Sequence, residues 1–150
     1  SSSINCPVVR YSDVLLMVAE CENEVNHGPT SDAVSALNQV RQRAGASAIT
    51  QADYGDYDSF KQLVLDERTR ELCYEVPRRM ELRRHGVEYF ERQLNILKDQ
   101  SLNDKNKKIG YDLDNVKAVP ALNYARKHIY FPIPQAELNV NTICGQTDLW

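Results

Sequence analysis

With 150 residues, 42% of them hydrophobic and 26% charged, the chain has the length for one domain with a real core and the composition of an ordinary globular protein, which argues against disorder and against a membrane-embedded fold. Its 18 Lys and Arg stand against 21 Asp and Glu for a net charge of -3, and no basic stripe runs beside stacking aromatics, so nucleic acid is not an expected ligand. The longest apolar run, Val14 to Ala19, is a third of the roughly 18 residues that a membrane-spanning helix needs.

The start, Ser1 to Cys6, carries neither the charged nor the apolar region of a signal peptide. Cys6, Cys21, Cys73 and Cys144 are scattered without a CxxC pair, and Cys21 and Cys73 fall inside helical patterns where a buried free thiol is common. Apolar residues at Tyr11, Val14, Leu15, Val18 and Val25 recur at helical spacing, so residues 8 to 26 read as an amphipathic helix whose stripe faces a partner, stopped by Gly28-Pro29. Thr30 or Ser31 caps a second helix through Ala33, Val34, Leu37, Val40 and Ala44, closed by Gly45. Residues 8–45 thus form a helical hairpin the size of one tetratricopeptide-like unit.

Residues 46 to 57 are small and polar, and Tyr54-Gly55-Asp56-Tyr57 reads as a turn showing two aromatic rings to solvent. A charged helical segment covers 58–98: Asp58 or Ser59 caps a third helix that Pro77 interrupts, Arg78 to His85 makes a short fourth ended by Gly86, and Val87, Phe90, Leu94 and Leu97 trace a fifth. Residues 99–128 show no period and read as a surface excursion around Tyr111. Residues 129–150 read as an extended packed arm, because Pro132 and Pro134 each remove a ladder donor, with a turn of helix at Gln135 to Leu138. The fold class is all-α with an irregular, proline-containing end.

The densest charge lies in Glu67, Arg68, Arg70, Glu71 and Glu75, followed by Arg78 and Arg79. Glu67, Glu71 and Glu75 share one helix face, a layout that suits acid/base catalysis or a metal. Arg68, Arg70, Arg78 and Arg79 lie within i+3 or i+4 reach of them, however, so a structural ion-pair network that fixes the angle between the third and fourth helices is the expected role. His27, His85 and His128 share no ligand spacing, and GxSxG, GxGxxG and P-loop motifs are lacking, so no catalytic residue, metal or cofactor is assigned. Tyr54, Tyr57 and Tyr111 are the candidate ligand-binding residues, since flat aromatic faces suit sugar rings; tyrosines packed on helix ends are the plainer alternative.

Four blocks in order carry a family resemblance: Arg10 to Glu20 (RYSDVLLMVAE), Ala36 to Gly45 (ALNQVRQRAG), Glu67 to Leu82, and Tyr130 to Asn141 (YFPIPQAELNVN). They resemble the SusD/RagB family, with local departures at Val76-Pro77, Met80 and Glu81. The resemblance implies a tetratricopeptide-like superhelix and a lipoprotein of Bacteroidetes-type outer membranes. Such a protein binds an oligosaccharide or polysaccharide at the cell surface and caps a SusC-like TonB-dependent transporter. It also implies a longer protein, lipid-anchored through a Cys upstream of this chain, since no lipobox precedes Cys6, with an N-terminal part as partner to this C-terminal portion. The rival expectations are a scaffold that grips a protein with no sugar site in this chain, and, behind it, an enzyme using Glu67, Glu71 or Glu75.

Overall fold

The computed structural model describes residues 8–75, 78–102 and 123–147, with the backbone alone for 97–102. Among these residues the fold is all-α, built on a tetratricopeptide-like helical pair, and no strand is present. The chain divides into two compact units, residues 1–78 and 79–150.

In the first unit, α1 (Tyr11–Asn26) and α2 (Ser31–Arg43) are joined by a four-residue turn and pack along their length as a hairpin. The helix is stopped by His27 rather than by Gly28: His27 takes the left-handed conformation at φ 51° and its N–H bonds to the carbonyl of Asn23. Thr30 caps α2, its hydroxyl oxygen accepting from the Ala33 N–H at 3.1 Å. At the other end Gly45 (φ 74°) closes a Schellman motif, with the Gly45 N–H on Gln42 and the Ala46 N–H on Arg41.

The chain then turns through the loop before α3, and Asn38 of α2 fixes that loop with both groups of its amide. Its Nδ2 donates to the Ile49 carbonyl at 3.1 Å and its Oδ1 accepts from the Ile49 N–H at 2.7 Å, which seats the Ile49 side chain in the core. Helix α3 (Tyr57–Glu71) begins two or three residues earlier than expected because Asp56, not Asp58 or Ser59, is the cap: its carboxylate accepts from the Ser59 N–H at 2.9 Å. Leu16, Ala19, Ala33, Ala36, Leu37, Val40, Ile49, Phe60 and Val64 form the core of this unit. Ala19, Ala33 and Ala36 bring little bulk, which lets helix backbones come close around the large Phe60 and Leu37 side chains. After α3 the chain leaves the helix through Tyr74, a non-glycine residue at φ 66°. The expected break at Val76-Pro77 lies outside the described residues.

One expectation for α1 and one for the cysteines are corrected. The side chains turned into the unit are Ser12, Asp13, Leu16, Ala19, Glu20 and Asn23, while Tyr11, Val14, Val18 and Val25 are exposed. Of the predicted stripe only Leu15 packs against the core, and the other four residues form an outer face: Phe60 and Leu37 pack with the narrow Leu16 and Ala19 ridge, and polar neighbours on that side are held by hydrogen bonds and ion pairs. Cys21 and Cys73 are likewise exposed free thiols rather than buried ones.

In the second unit α4 (Arg78–Arg84) ends at Gly86 (φ 89°), and α5 (Val87–Leu102) runs beyond the expected stop at residue 98. Leu82, Tyr89, Phe90 and Ile129 are buried, with Tyr124 tilted against Phe90 at 5.7 Å between ring centres. A 3-10 turn at Arg126–Ile129 precedes the proline segment, and Gln146 bonds both backbone groups of Ile133, at 3.0 and 3.1 Å. The rings of Tyr130 and Phe131 are largely exposed instead of packed away, and what covers them in part is the guanidiniums of Arg83 and Arg79, at 5.1 and 3.8 Å from the ring centres. Helix α6 (Gln135–Val140) follows Pro134. Of the expected excursion, residues 103–122, Tyr111 among them, lie outside the described residues.

Candidate functional site

Ion pairs gather on the acids at the end of α3, and most of their cations come from outside the set that the sequence suggested. Glu67 and Glu71 stand on successive turns of α3 with their side chains buried, whereas Glu75 lies past the end of the helix and so off the one helix face expected for all three. Glu67 takes Arg41 of α2 at 2.7 Å and, more loosely, Arg70 at 3.8 Å. Glu71 takes Arg10, just ahead of α1, and Arg43 at the end of α2. Arg10 also reaches Glu75 and the carbonyl of Glu71. Arg68 pairs with Asp13 of α1 at 3.0 Å, both side chains below 10% exposed. The network therefore ties α3 to α1 and α2, whereas the expected tie was between α3 and α4.

Two members of the predicted set act differently. Arg79 donates to the backbone carbonyls of His128 and Ile129 within the second unit, holding the start of the proline segment. Arg78 is half-buried in the first turn of α4. The partners that sequence reasoning missed, Arg10, Asp13, Arg41 and Arg43, are distant in the chain from the charged groups they meet. The available signal was the pair Arg41 and Arg43 in the last turn of α2, where cations suit the helix dipole and where no local acid claims them.

Burial by itself would raise the Glu71 carboxyl. Hydrogen bonds from Arg10 and Ser12 and the charges of Arg10 and Arg43 outweigh it and hold the group below its usual range. The Arg10 guanidinium is raised, first by its hydrogen bond to Glu75. An ionised carboxylate locked between guanidiniums is a poor proton donor and leaves few lone pairs for a metal, so the geometry suits fastening rather than acid/base chemistry.

Beside the network a shallow cleft of about 220 Å³ is lined by Arg10, Tyr11, Ser12, Leu15, Gln39, Val40 and Arg43. That is below the roughly 300–1,000 Å³ of ordinary ligand pockets. The candidate sugar-contact residues Tyr54 and Tyr57 are half-buried, so the expected display of two rings to solvent is corrected. Tyr54 packs edge-on against Phe60 at 5.3 Å. The Tyr57 hydroxyl donates to Glu24 at 2.5 Å and accepts from Lys61 at 3.0 Å, while the Tyr57 carbonyl accepts from Asn23. Both rings turn inward because core and charged neighbours offer each of them contacts that water does not.

Comparison with known proteins agrees with the four sequence blocks. A family model for the SusD family matches residues 1–150. A SusD-like protein of Formosa agariphila is 35% identical over 147 residues, which is 97% of this chain and 24% of that protein. Among solved structures, a SusD homolog from Bacteroides thetaiotaomicron superposes with a TM-score of 0.68 at 30% identity, over 95% of this chain and 26% of that one. A SusD superfamily protein from Parabacteroides distasonis gives 0.62 at 28% identity, over 100% of this chain and 28% of that one. The chain spans about a quarter of the length of the relatives it matches.

Proposed function

The chain belongs to the SusD family, and we propose that it is the C-terminal helical portion of a glycan-binding component of an outer-membrane oligosaccharide or polysaccharide uptake system. The reading is carried by the family match through all 150 residues, joined to close likeness with a SusD-like protein along 97% of the chain. In this proposal the whole protein sits on the cell surface, tethered through a lipidated Cys upstream of this chain, and works with a SusC-like TonB-dependent transporter.

Within that protein the segment serves as scaffold. The cleft at Tyr11 and Gln39 is too small to enclose a sugar chain, and the rings and hydroxyls of Tyr54 and Tyr57 are engaged by the fold. Tyr111 keeps its place in the proposal as a sugar-contact candidate. Pairing of Glu67, Glu71 and Glu75 with arginines supports a binding protein over an enzyme. A scaffold that grips another protein is the second reading, favoured by the exposed apolar face of α1.

Isothermal titration of the longer protein against a panel of oligosaccharides tests the first reading. Saturable heat with one glycan class is expected, unchanged by Glu71→Gln. A folded protein that titrates with no glycan overturns it, and a turnover activity lost in Glu71→Gln would restore the enzyme reading.

A further inference from the structure

The arginines of α4 are used in two different ways. Arg84 pairs with Glu81 at 3.0 Å. Arg79 and Arg83, four residues apart and so on one face of the helix, have no carboxylate partner among the described residues. Their guanidiniums lie on the rings of Phe131 and Tyr130 instead, at 3.8 and 5.1 Å from the ring centres. Arg83 has one further contact among the described residues, the Met80 sulfur at 3.8 Å, which is a weak acceptor. Arg79 commits a single nitrogen, Nη2, to the carbonyls of His128 and Ile129 and keeps its other donors. Tyr130, Phe131 and Met80 are 52%, 65% and 56% exposed. Two cations without counter-charges thus lie beside two aromatic rings that face water.

We propose, building on the glycan-binding reading of the whole protein, that Arg79, Arg83, Tyr130 and Phe131 form a surface subsite for an acidic saccharide, one whose sugar rings carry carboxylate or sulfate groups. Flat aromatic faces suit the apolar faces of sugar rings. A guanidinium on one face of such a ring draws on the negative charge of the π-system, so the open face holds the C–H groups of a neutral sugar less well, while the uncompensated charge beside it attracts an anion. The planar fork of arginine meets a carboxylate or sulfate with two parallel hydrogen bonds. Arg79 and Arg83 are separated by about one helical turn, or roughly 5.4 Å, close to the length of one pyranose unit in an extended chain, so successive acidic sugars meet successive guanidiniums. The platform is also set in advance. Arg79 holds the backbone ahead of the rings, and Pro132, Pro134 and the bonds from Gln146 to Ile133 fix the backbone after them, which leaves little for a ligand to order. The segment remains a scaffold and carries this open subsite on its outside.

The test is titration of the longer protein with uronate oligosaccharides, sulfated galactan oligosaccharides, neutral malto- and cello-oligosaccharides, and sodium sulfate alone. An acidic class is expected to bind, more weakly as sodium chloride is raised. Its affinity should fall at least about tenfold in Arg83→Gln and in Phe131→Ala, with Arg84→Gln, whose arginine serves Glu81, close to wild type. Binding of neutral glycans only overturns the subsite and leaves the glycan reading standing, whereas a folded protein that binds no glycan overturns both. Acidic binding that is insensitive to both substitutions, or lost equally in Arg84→Gln, places the ligand elsewhere and overturns the subsite. Sulfate alone binding as tightly as the saccharides reduces it to a simple anion site, which also overturns it. Where Arg83→Gln prevents folding, Phe131→Ala, which alters an exposed ring, decides together with the salt dependence of the wild type.

Discussion

The two halves of α3 are fastened by different forces. Its first half inserts Phe60 and Val64 into the core and buries Leu65, with Lys61 and Glu24 pairing at the rim. The second half is held by charge: Glu67 to Arg41, Arg68 to Asp13, and Glu71 to Arg10 and Arg43. Burying apolar surface is non-directional, and it stabilises α3 without fixing its rotation. Ion pairs near the surface add little net stability, but each demands one geometry, so the charged half sets how α3 lies across the hairpin.

That division predicts a graded set of losses. Phe60→Ala removes the largest fully buried side chain among the described residues and should cost about 3–5 kcal/mol in urea unfolding; a loss under about 1 kcal/mol would mean that the apolar half is not the anchor. Asp13→Ala removes a buried carboxylate that pairs with Arg68 at 3.0 Å across the α1–α3 contact, and should cost about 3 kcal/mol. An unchanged melting temperature for that variant would remove the buried pair from the account.

Glu71→Ala should cost less, about 2 kcal/mol, since Arg43 is mostly exposed and returns readily to water. The carboxyl of Glu71 is depressed in the folded state relative to its ordinary 4.5, so its contribution is complete above pH 4.5 and fades as pH falls through the lowered folded value. Unfolding of wild type and Glu71→Gln should therefore differ at neutral pH and converge in acid; a gap that widens toward low pH would contradict the sign. Thr30→Ala, which removes only the α2 cap, should cost about 1 kcal/mol, with Thr30→Ser close to neutral.

Much of the architecture was legible from local pattern. The hairpin, the Thr30 cap, the Gly45 closure and the short helix after Pro134 follow from periodicity and capping chemistry that act within a few residues. Which face of α1 turns inward was not legible. A stripe of Tyr11, Val14, Val18 and Val25 predicts a covered face without saying what covers it, and the buried polar residues opposite are tolerated only because Asp13 meets Arg68 and Asn23 meets the Tyr57 carbonyl. The acids of the candidate site were identifiable from their i, i+4 spacing, yet their cations sit up to 65 residues away, a pairing that only the folded hairpin creates. Tyr54 and Tyr57 show the same limit: a polar, glycine-containing stretch predicts a loop, but ring orientation depends on Phe60 and Glu24.

A side-chain amide that bonds both the N–H and the C=O of one residue imitates a neighbouring β-strand in a protein otherwise built from helices. Asn38 does this for Ile49 and Gln146 for Ile133, so each irregular stretch is registered at a single point. The residues on either side of that point are released from holding the backbone in place, and can diverge in composition while the anchored isoleucine stays put. An acid of equal size could not substitute at either amide, because it keeps the acceptor and forfeits the donor.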